Sequence, residues 1–406
     1  HCKVSLLPLR DNSTVMVTGN ILSNCLSSNT TLTIVKNCAS SNDFSSYHES
    51  FMDVYLSPFR HQVGGHSIIL CPDDIHICKP YIEREADFYK KMPSHIAQFT
   101  PAFCGEIQVN ADGRCASMLT TPTISASVGR KPCSSCIDGE FPAYGHNSFT
   151  HRTSAGYIFR DAESGLLNEA NPWSAKCRMR VPKEKQCSSG TVKNRYIVLE
   201  NIAREFRYPC VLDLKMGIRQ HGDGIDEQKR LKFMRKCERT TSKKYGVRVA
   251  GMQYYDTSSS MYQCVNKYYG ESLSFLQMEN LLHQFFDCPP GSDRQKLLFK
   301  SFHDKLIQLH EALSKAEGCR LFSASLLVVY DGDPQLVFAN DSDKGRVEIC
   351  LVDFAHSTCQ GMDDEVQYSG PDDGILLGFA VDEVSLYVAN YDVLMSHTLI
   401  EIYSIP

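Results

Sequence analysis

The chain has 406 residues, 42% of them apolar, which is enough to bury a full core in one two-lobed unit or in two closely packed domains. No run of 18 or more uncharged apolar residues occurs, so we expect no membrane-spanning helix. The net charge of −5 conceals a basic segment, residues 204–248, with 13 Lys and Arg against 6 Asp and Glu. This distribution favours a specific site for an anion over a general nucleic-acid surface.

The 18 cysteines are scattered along the chain, unlike those of short secreted domains that disulfides hold together. Five of them lie in or beside apolar runs, where we expect small core residues: Cys210, Cys237, Cys264, Cys319 and Cys350. The pattern favours a reducing compartment, which is the cytoplasm or the nucleus.

Composition divides the chain into three parts. Residues 1–48 are rich in Ser, Asn and Thr with few charges, and predict a weakly ordered leader. An N-terminal lobe is expected over residues 49–200 and a C-terminal lobe over residues 201–406. Within the N-terminal lobe, residues 110–190 lose periodicity and gather Gly, Pro, Ser and Cys, which indicates an inserted loop region.

The insert contains a pattern that mimics zinc ligands. Cys133 and Cys136 are followed by His146 and His151. The nine residues between the two pairs are fewer than the usual spacing of about 12–15. Loop cysteines are therefore the expectation, and zinc binding is the alternative.

In the N-terminal lobe, a strand is predicted over residues 75–80, followed by a short helix that begins at Glu83. Lys79 lies near the end of the strand and Glu85 lies six residues further on. The pair is similar to the strand lysine and helix glutamate of protein kinases, in which the lysine steadies nucleotide phosphates. Taken singly, each residue is better explained as a surface charge.

In the C-terminal lobe, a helix is predicted from Asp226 to Arg239. One of its faces carries the cations Lys229, Lys232, Arg235, Lys236 and Arg239. Five cations within an arc of about 120° repel one another unless an anion or an acidic partner neutralises them. The helix alone favours a solvated basic face, with a polyanionic ligand, nucleic acid included, as the alternative.

The segment before this helix, residues 209–217, predicts a buried strand with Asp213 and Lys215 on the same side. Charged groups on a buried strand are costly unless they serve a function, although a simple ion pair is the alternative. Gly217 and Gly222 allow the backbone to turn sharply toward a group the size of a phosphate.

Asp353 directly follows an apolar strand predicted over residues 347–352, and another strand is predicted over residues 326–330. A carboxylate at a strand end is where kinase-like sites hold the magnesium that bridges nucleotide phosphates. Because any strand can end in Asp, this signal is weak unless it is taken together with Lys79 and Lys215.

Together these residues resemble the inositol polyphosphate kinase family, whose signature is P-x-x-x-D-x-K-x-G. The signature is matched in full by Pro209, Asp213, Lys215 and Gly217. Residues 323–327 resemble the family's S-S-L-L element, with Ala324 in place of its first serine. Residues 352–354 resemble its I-D-F element, with Val for Ile.

The resemblance extends to the inositol hexakisphosphate kinase branch of the family. Ten short segments resemble this branch, in the same order along the chain: residues 62–66, 78–80, 171–174, 199–201, 212–217, 219–223, 234–238, 266–270, 353–358 and 370–372. The stretch after Gly378 does not resemble the family's usual ending.

The resemblance implies an α+β fold of two lobes, protein-kinase-like or ATP-grasp-like, with an antiparallel sheet in each lobe and a helical segment that binds inositol phosphate. ATP would lie between the lobes. Lys79 would hold its phosphates, Glu200 and Ile202 would meet adenine through the hinge backbone, and Asp213 would contact the ribose. Mg²⁺ would be bound by Ser325 and Asp353.

The resemblance also implies an inositol phosphate site, with Lys215, Lys229, Lys232, Lys236 and His356 as ligands. The catalytic residues would be Lys215, which lies near the transferred group, and Asp353. The implied reaction moves the γ-phosphate of ATP to a phosphate of inositol hexakisphosphate and yields a diphosphoinositol pentakisphosphate. An acceptor phosphate is already ionised at neutral pH, so catalysis requires positioning and charge neutralisation rather than a strong general base.

Three alternatives stay open. The first is a multikinase or trisphosphate kinase that acts on ring hydroxyls, against which residues 219–223 argue through their likeness to the hexakisphosphate branch. The second is a non-catalytic inositol phosphate sensor, in which at least one of the key charged residues is normally lost. The third is a basic nucleic-acid module. The expected partners are inositol hexakisphosphate and related polyphosphates, without nucleic acid or membrane, and the sequence leaves the ring position, the oligomeric state and the role of the tail after residue 378 open.

Overall fold

The computed structural model describes residues 30–34, 52–65, 67–109, 116–120, 157–159, 173, 194–286, 292–333 and 345–379. Over these ranges the chain forms two sheets with helices packed beside them. None of the helices found there is long and apolar enough to cross a membrane.

In chain order, the strands of these ranges are β1 (Thr30–Ile34), β2 (Met52–Pro58), β3 (Leu70–Cys71), β4 (His76–Pro80), β5 (Phe103–Val109), β6 (Ala116–Thr120), β7 (Tyr157–Phe159), β8 (Asn194–Glu200), β9 (Pro209–Met216), β10 (Val247–Asp256), β11 (Met261–Val265), β12 (Ser325–Asp331) and β13 (Val347–Val352). The helices are α1 (Glu83–Lys91), α2 (Ser94–Ala97), α3 (Glu227–Glu238), α4 (Ser242–Tyr245), α5 (Lys267–Ser272), α6 (Phe275–Phe285), α7 (Asp293–Ser314) and α8 (residues 373–379).

The first sheet closes into a barrel. Its strands pair in the order β1-β2-β3-β4-β8-β5-β6, and a single parallel bridge between Ile34 and Ala116 joins β6 back to β1. The other neighbours in the barrel run antiparallel. β1 falls within residues 1–48, for which composition predicts weak order. Its hydrogen-bond partners come from β2, and such pairing between segments leaves little trace in local composition. With α1 and α2, this sheet forms the first lobe.

The second sheet has the strand order β13-β12-β9-β10-β11-β7 and, with α3 to α8, forms the second lobe. Its pairs are antiparallel except for β11 and β7. β6 and β7 both come from the predicted insert at residues 110–190, so the described parts of the insert add one strand to each sheet. The predicted α+β class, with a largely antiparallel sheet in each lobe, is confirmed.

The main core lies against one face of the second sheet. Strand β9 turns alternate side chains toward this core, namely Cys210, Leu212, Leu214 and Met216, none of which is more than 1% exposed. Helix α7 adds apolar residues at helical spacing: Leu298, Phe302, Leu306 and Leu309. The opposite face of β9 is therefore left to Val211, Asp213 and Lys215.

The five cysteines predicted to be core residues are all buried. That prediction is confirmed. The zinc-like pattern of Cys133, Cys136, His146 and His151 lies outside the described residues.

Helix α3 begins and ends within one residue of the predicted bounds. The side chain of Asp226 caps it by accepting a hydrogen bond from the N–H of Lys229 at 3.2 Å. Cys237 is its only buried residue, and its thiol donates to the carbonyl of Ile218 at 2.8 Å. The helix is thus attached along one narrow side, and most of its cationic side chains point toward solvent.

Candidate active site

One face of the second sheet changes from apolar to charged along its strands. On β9 this face carries Val211, Asp213 and Lys215, because alternate residues of a strand point the same way. Their partners across the ladder on β12 are, in the same order, Val329, Leu327 and Ser325. We call these six residues the site face. Its apolar end suits a flat ring, and its polar end suits charged groups attached to that ring.

A small apolar cluster, separate from the main core, covers the apolar end of the site face. Its buried members are Val63, Ala203, Phe206, Val211 and Val329, and Phe59, Ile202 and Leu327 pack against them. Val63 comes from the β2–β3 connection of the first lobe, whereas Val329 belongs to the second sheet. The cluster therefore lies where the lobes meet.

The predicted adenine contacts Glu200 and Ile202 lie on the segment that joins the lobes. The side chain of Glu200 accepts a hydrogen bond from the N–H of Ala102 at 3.3 Å and so is occupied within the first lobe. Asn201 fixes the segment, since its side-chain amide donates to the carbonyl of Asp74 at 2.9 Å. Ile202 packs against the apolar cluster. Contact with an adenine would therefore be made by backbone atoms of this segment.

A turn rich in glycine, residues 62–65, lies directly on the site face. A Cβ added to Gly64 would lie 2.1 Å from Oδ2 of Asp213. One added to Gly251 of β10 would lie 2.0 Å from the carbonyl oxygen of Val63. Since neither distance is sterically possible, glycine is required at both positions for the lobes to approach this closely.

Four charged side chains from both lobes meet at the polar end. Nζ of Lys79 lies 2.6 Å from Oε1 of Glu85 and 2.5 Å from Oδ1 of Asp353. Nζ of Lys215 lies 3.4 Å from Oδ2 of Asp353 and donates to the carbonyl of Ser323 at 2.7 Å. The structure thus brings together Lys79, Lys215 and Asp353, which come from distant parts of the sequence.

Asp353 has a left-handed backbone, with φ of 70°, a conformation that Asp and Asn adopt more readily than most residues. Burial alone would raise the pKa of Asp353, but the ammonium groups of Lys79 and Lys215 hold it well below its usual range. Burial would likewise lower the pKa of Lys79, but Asp353 and Glu85 raise it. Asp353 and Lys79 are therefore both charged at neutral pH.

The carboxylate and hydroxyl oxygens of Asp353 and Ser325 are the kind of ligand that magnesium prefers. Oγ of Ser325 and Oδ1 of Asp213 are buried and have no well-aligned hydrogen-bond partner in the described part of the chain, although the Ser325 side chain is close enough to Asp213 to act on its pKa in the lowering direction. Burial raises the pKa of Asp213, and Lys215 acts in the opposite direction. No group of three or more His, Cys, Asp or Glu side chains in the described ranges could hold a metal ion. A cation bound here would therefore require further ligands besides these side chains.

Helix α3 and His356 lie beside each other. The ring of Phe233 on α3 is 6.4 Å from the ring of His356. Lys229 and Lys236 are on the same side of the helix as Phe233, because residues three and four apart are neighbours. The pKa of His356 is lowered by burial and then by the positive charge of Lys215. His356 therefore lies among cations, next to the polar end of the site face.

The cations of α3 differ in their partners. Lys236 is half-buried and forms an ion pair with Glu271 of α5, which also binds Arg239 at 3.1 Å. Within the described residues, Lys229 and Lys232 are exposed and have no ion-pair partner. Lys229 and Lys232 are thus accessible to an anionic ligand. Lys236 would have to break its ion pair with Glu271 before it could bind the same ligand.

Sequence reasoning misses Arg248 on β10. Arg248 faces Lys215 across the β9–β10 ladder and is 4% exposed. Its Nη2 donates to Oε1 of Gln220 at 3.2 Å, while its Nε and Nη1 have no partner in the described part of the chain. Burial lowers the pKa of Arg248. The available signal is a lone cation between Val247 and Val249 in an apolar strand, and the register across the ladder is needed to connect it to the site.

Residues 196–381 match the inositol polyphosphate kinase family. Inositol hexakisphosphate kinase 1 of Rattus norvegicus is 32% identical over 398 residues, with 80% of this chain and 91% of the relative covered. Inositol hexakisphosphate kinases 3 and 2 of Homo sapiens are each 30% identical, with 80% of this chain and 93% and 92% of the relatives covered. The inositol phosphate multikinase Ipk2 from S. cerevisiae, solved in complex with ADP and Mn²⁺, is similar with a TM-score of 0.48 at 20% identity, over 77% of this chain and 98% of that one. On the strength of the hexakisphosphate kinase relatives, the chain belongs to the inositol polyphosphate kinase family, in its inositol hexakisphosphate kinase branch.

Proposed function

We propose that this chain is an ATP-dependent inositol hexakisphosphate kinase, which transfers the γ-phosphate of ATP to a phosphate of inositol hexakisphosphate. The product is a diphosphoinositol pentakisphosphate. The observation that carries the proposal is that Lys79, Lys215, Asp353 and His356 meet beside the cationic helix α3. The choice of acceptor is supported by relatives named inositol hexakisphosphate kinase that align over more than nine-tenths of their length.

The chemical problem in this reaction is repulsion, because donor and acceptor are both polyanions. Lys79, oriented by Glu85, would hold the nucleotide phosphates. Lys215 lies between this region and His356 and would neutralise charge on the transferred group. Lys229 and Lys232, which are exposed, would bind acceptor phosphates together with His356, and Lys236 would join them on release from Glu271. An ionised acceptor phosphate needs no proton removed, so this set of groups is sufficient without a general base.

We infer that the donor is ATP with magnesium. Asp353 and Ser325 would hold the ion, which supplies positive charge between the nucleotide phosphates. The inference is supported by the buried oxygen of Ser325, which has no well-aligned hydrogen-bond partner in the described part of the chain, and by the apolar cluster at the other end of the site face. Asp213 would contact the ribose, and the backbone at Glu200 and Ile202 would contact adenine.

We also propose that the protein works in the cytoplasm or the nucleus. No disulfide joins any two of the nine cysteines in the described residues, which supports a reducing compartment.

The test is a comparison of acceptors with the full chain. Purified protein is given magnesium-ATP with either inositol hexakisphosphate or inositol trisphosphate, and the products are separated by charge and identified by ³¹P NMR. We expect a pyrophosphate signal from the hexakisphosphate. Preferred phosphorylation of trisphosphate hydroxyls would favour the multikinase alternative, and binding without turnover would favour the sensor.

Asp353→Asn provides the matched inactive variant. Asn tolerates the left-handed backbone at this position, so we expect the variant to fold. Loss of the carboxylate charge should lower kcat at least ~100-fold, while the Kd for inositol hexakisphosphate, measured calorimetrically without nucleotide, stays within about threefold of wild type. Turnover at the wild-type rate would contradict the role given to Asp353.

A further inference from the structure

Two neighbouring residues of α1 contact opposite sides of the candidate site. Glu85 pairs with Lys79 on the nucleotide side, and its Oε1 also accepts a hydrogen bond from the N–H of Phe354 at 3.3 Å. Arg84, one position earlier, points instead at the segment that continues past His356. Its Nη1 donates to the carbonyl of Ser357 at 3.2 Å. One turn of a first-lobe helix therefore touches both ends of this segment of the second lobe.

Arg84 forms a two-pronged ion pair with Asp364. Nη1 donates to Oδ2 of Asp364 at 3.1 Å, and Nη2 donates to Oδ1. The hydroxyl of Thr358 donates to the same carboxylate. The side chain of Asp364 is 11% exposed and that of Arg84 is 39% exposed. Two parallel N–H···O contacts fix the relative orientation of the two groups, which a single contact does not.

The segment held in this way is residues 354–359, which we call the acceptor segment because it carries His356. The ring of Phe354 is stacked on that of Phe88 at 4.6 Å, which anchors the start of the segment to α1. The far end is held at Thr358, which exchanges two backbone hydrogen bonds with Arg320. Between these anchors, the side of the segment that faces the first lobe is held by the pair of Arg84 and Asp364.

We propose that Arg84 and Asp364 are positioning residues, which fix the acceptor segment so that His356 is oriented for the inositol polyphosphate. The inference rests on the proposed function. Neither residue is given a direct contact with the acceptor. Arg84 acts through Ser357 and Asp364, and Asp364 acts through Arg84 and Thr358.

The experiment uses the full chain with four variants: Arg84→Met, Asp364→Ala, the double variant, and Asp363→Ala as control. Asp363 is an exposed carboxylate next to Asp364, so its removal changes the net charge equally without breaking the pair. KM is measured separately for inositol hexakisphosphate and for ATP. The Kd for inositol hexakisphosphate is measured calorimetrically without nucleotide, and the midpoint of thermal unfolding is recorded.

We expect each single variant to raise both KM and Kd for inositol hexakisphosphate about tenfold, a loss typical of a charge-assisted hydrogen bond, with KM for ATP within about twofold of wild type. The double variant should be no worse than either single one, because the two residues act as a unit. Arg84→Lys, which keeps one contact with Asp364, should recover part of the affinity.

Three results would overturn the inference. Wild-type affinity in Asp364→Ala would show that the pair positions nothing. A loss in Arg84→Met alone would show that Arg84 touches the acceptor directly. An equal rise in both KM values together with a lower unfolding midpoint would show a general structural role. If the wild-type chain itself neither binds nor phosphorylates inositol hexakisphosphate, the proposed function fails, and this outcome is distinct from variants that match an active wild type.

Discussion

For Asp353, the sequence predicts the position of the residue, whereas its backbone conformation and its contacts are seen only in the structure. Its place after an apolar strand, and its likeness to a family element, predict a carboxylate in the site. Neither predicts a left-handed backbone or contact with two lysines, since one lysine lies on β9 of the second sheet and the other on β4 of the other lobe. A local motif identifies such a residue, and only the folded chain provides its partners.

The pair of Asp73 and His76, in the turn before β4, predicts a dependence of stability on pH. Nδ1 of His76 lies 2.8 Å from Oδ2 of Asp73, and both residues are buried. Burial would lower the pKa of His76, but the hydrogen bond to Asp73 raises it from 6.5 to about 10. A pKa raised by folding stabilises the protein fully below pH 6.5, and this stabilisation is lost as pH rises toward 10.

Replacing Asp73 by Asn should therefore change the pH profile. The free energy of unfolding, measured in urea between pH 6.5 and about 10, should fall more steeply in wild type than in Asp73→Asn. Asp74→Asn is the control, because it removes the same charge from an exposed residue of the same turn. Parallel profiles for wild type and Asp73→Asn would refute the pairing.

Among the elements, α3 was predictable from sequence and its surroundings were not. An N-cap aspartate and helical spacing fix its bounds. The periodicity of β9, β12 and β13 marks them as strands in the same way. Glu271, which forms an ion pair with Lys236, and Arg248, which adds a buried cation, lie outside the segments on which the resemblance rests. Which cations are open to a ligand is therefore decided by packing between elements, and a helical wheel cannot show it.

Because Lys229 is one of the exposed cations of α3, its replacement should weaken binding of the acceptor. Lys229→Ala should raise the KM for inositol hexakisphosphate about tenfold, since a hydrogen bond to a charged group contributes about 1.5 kcal/mol. Its KM for ATP should be unchanged. Lys244→Ala, on the exposed surface of α4, removes the same charge and serves as control. Equal effects of the two substitutions on KM would indicate non-specific attraction by the basic surface rather than a built contact.

The two lobes are connected by the joining segment and also contact each other at several further places. The glycine turn of the first lobe lies on Asp213, α1 packs on Phe354, and the N–H of Leu351 in β13 donates to the carbonyl of Phe99 at 2.7 Å. The α+β class and two-lobed organisation are what the family resemblance implies. The contacts between lobes do not follow from sequence patterns, because they join residues far apart in the chain.

The substitution Gly64→Ala tests the contact between the glycine turn and Asp213. Its Cβ would lie 2.1 Å from Oδ2 of Asp213, so the turn must move away from the site face. We expect KM for ATP to rise about tenfold or more, because small displacements of positioning groups are costly, and Kd for inositol hexakisphosphate without nucleotide to be unchanged. Ser67→Ala, an exposed change in the same connection, is the control. An unaltered KM for ATP in Gly64→Ala would mean that the turn does not border the nucleotide.

The contacts of Asp353 with Lys79 and Lys215 have a consequence for the order of events. The carboxylate is neutralised by two ammonium groups, so a divalent ion arriving before a nucleotide would have to displace them and would gain little. A nucleotide offers those ammonium groups phosphate oxygens in exchange. Ion and nucleotide should therefore enter together, and calorimetric titration of the free chain with Mn²⁺ should show weak binding that tightens once ADP is present.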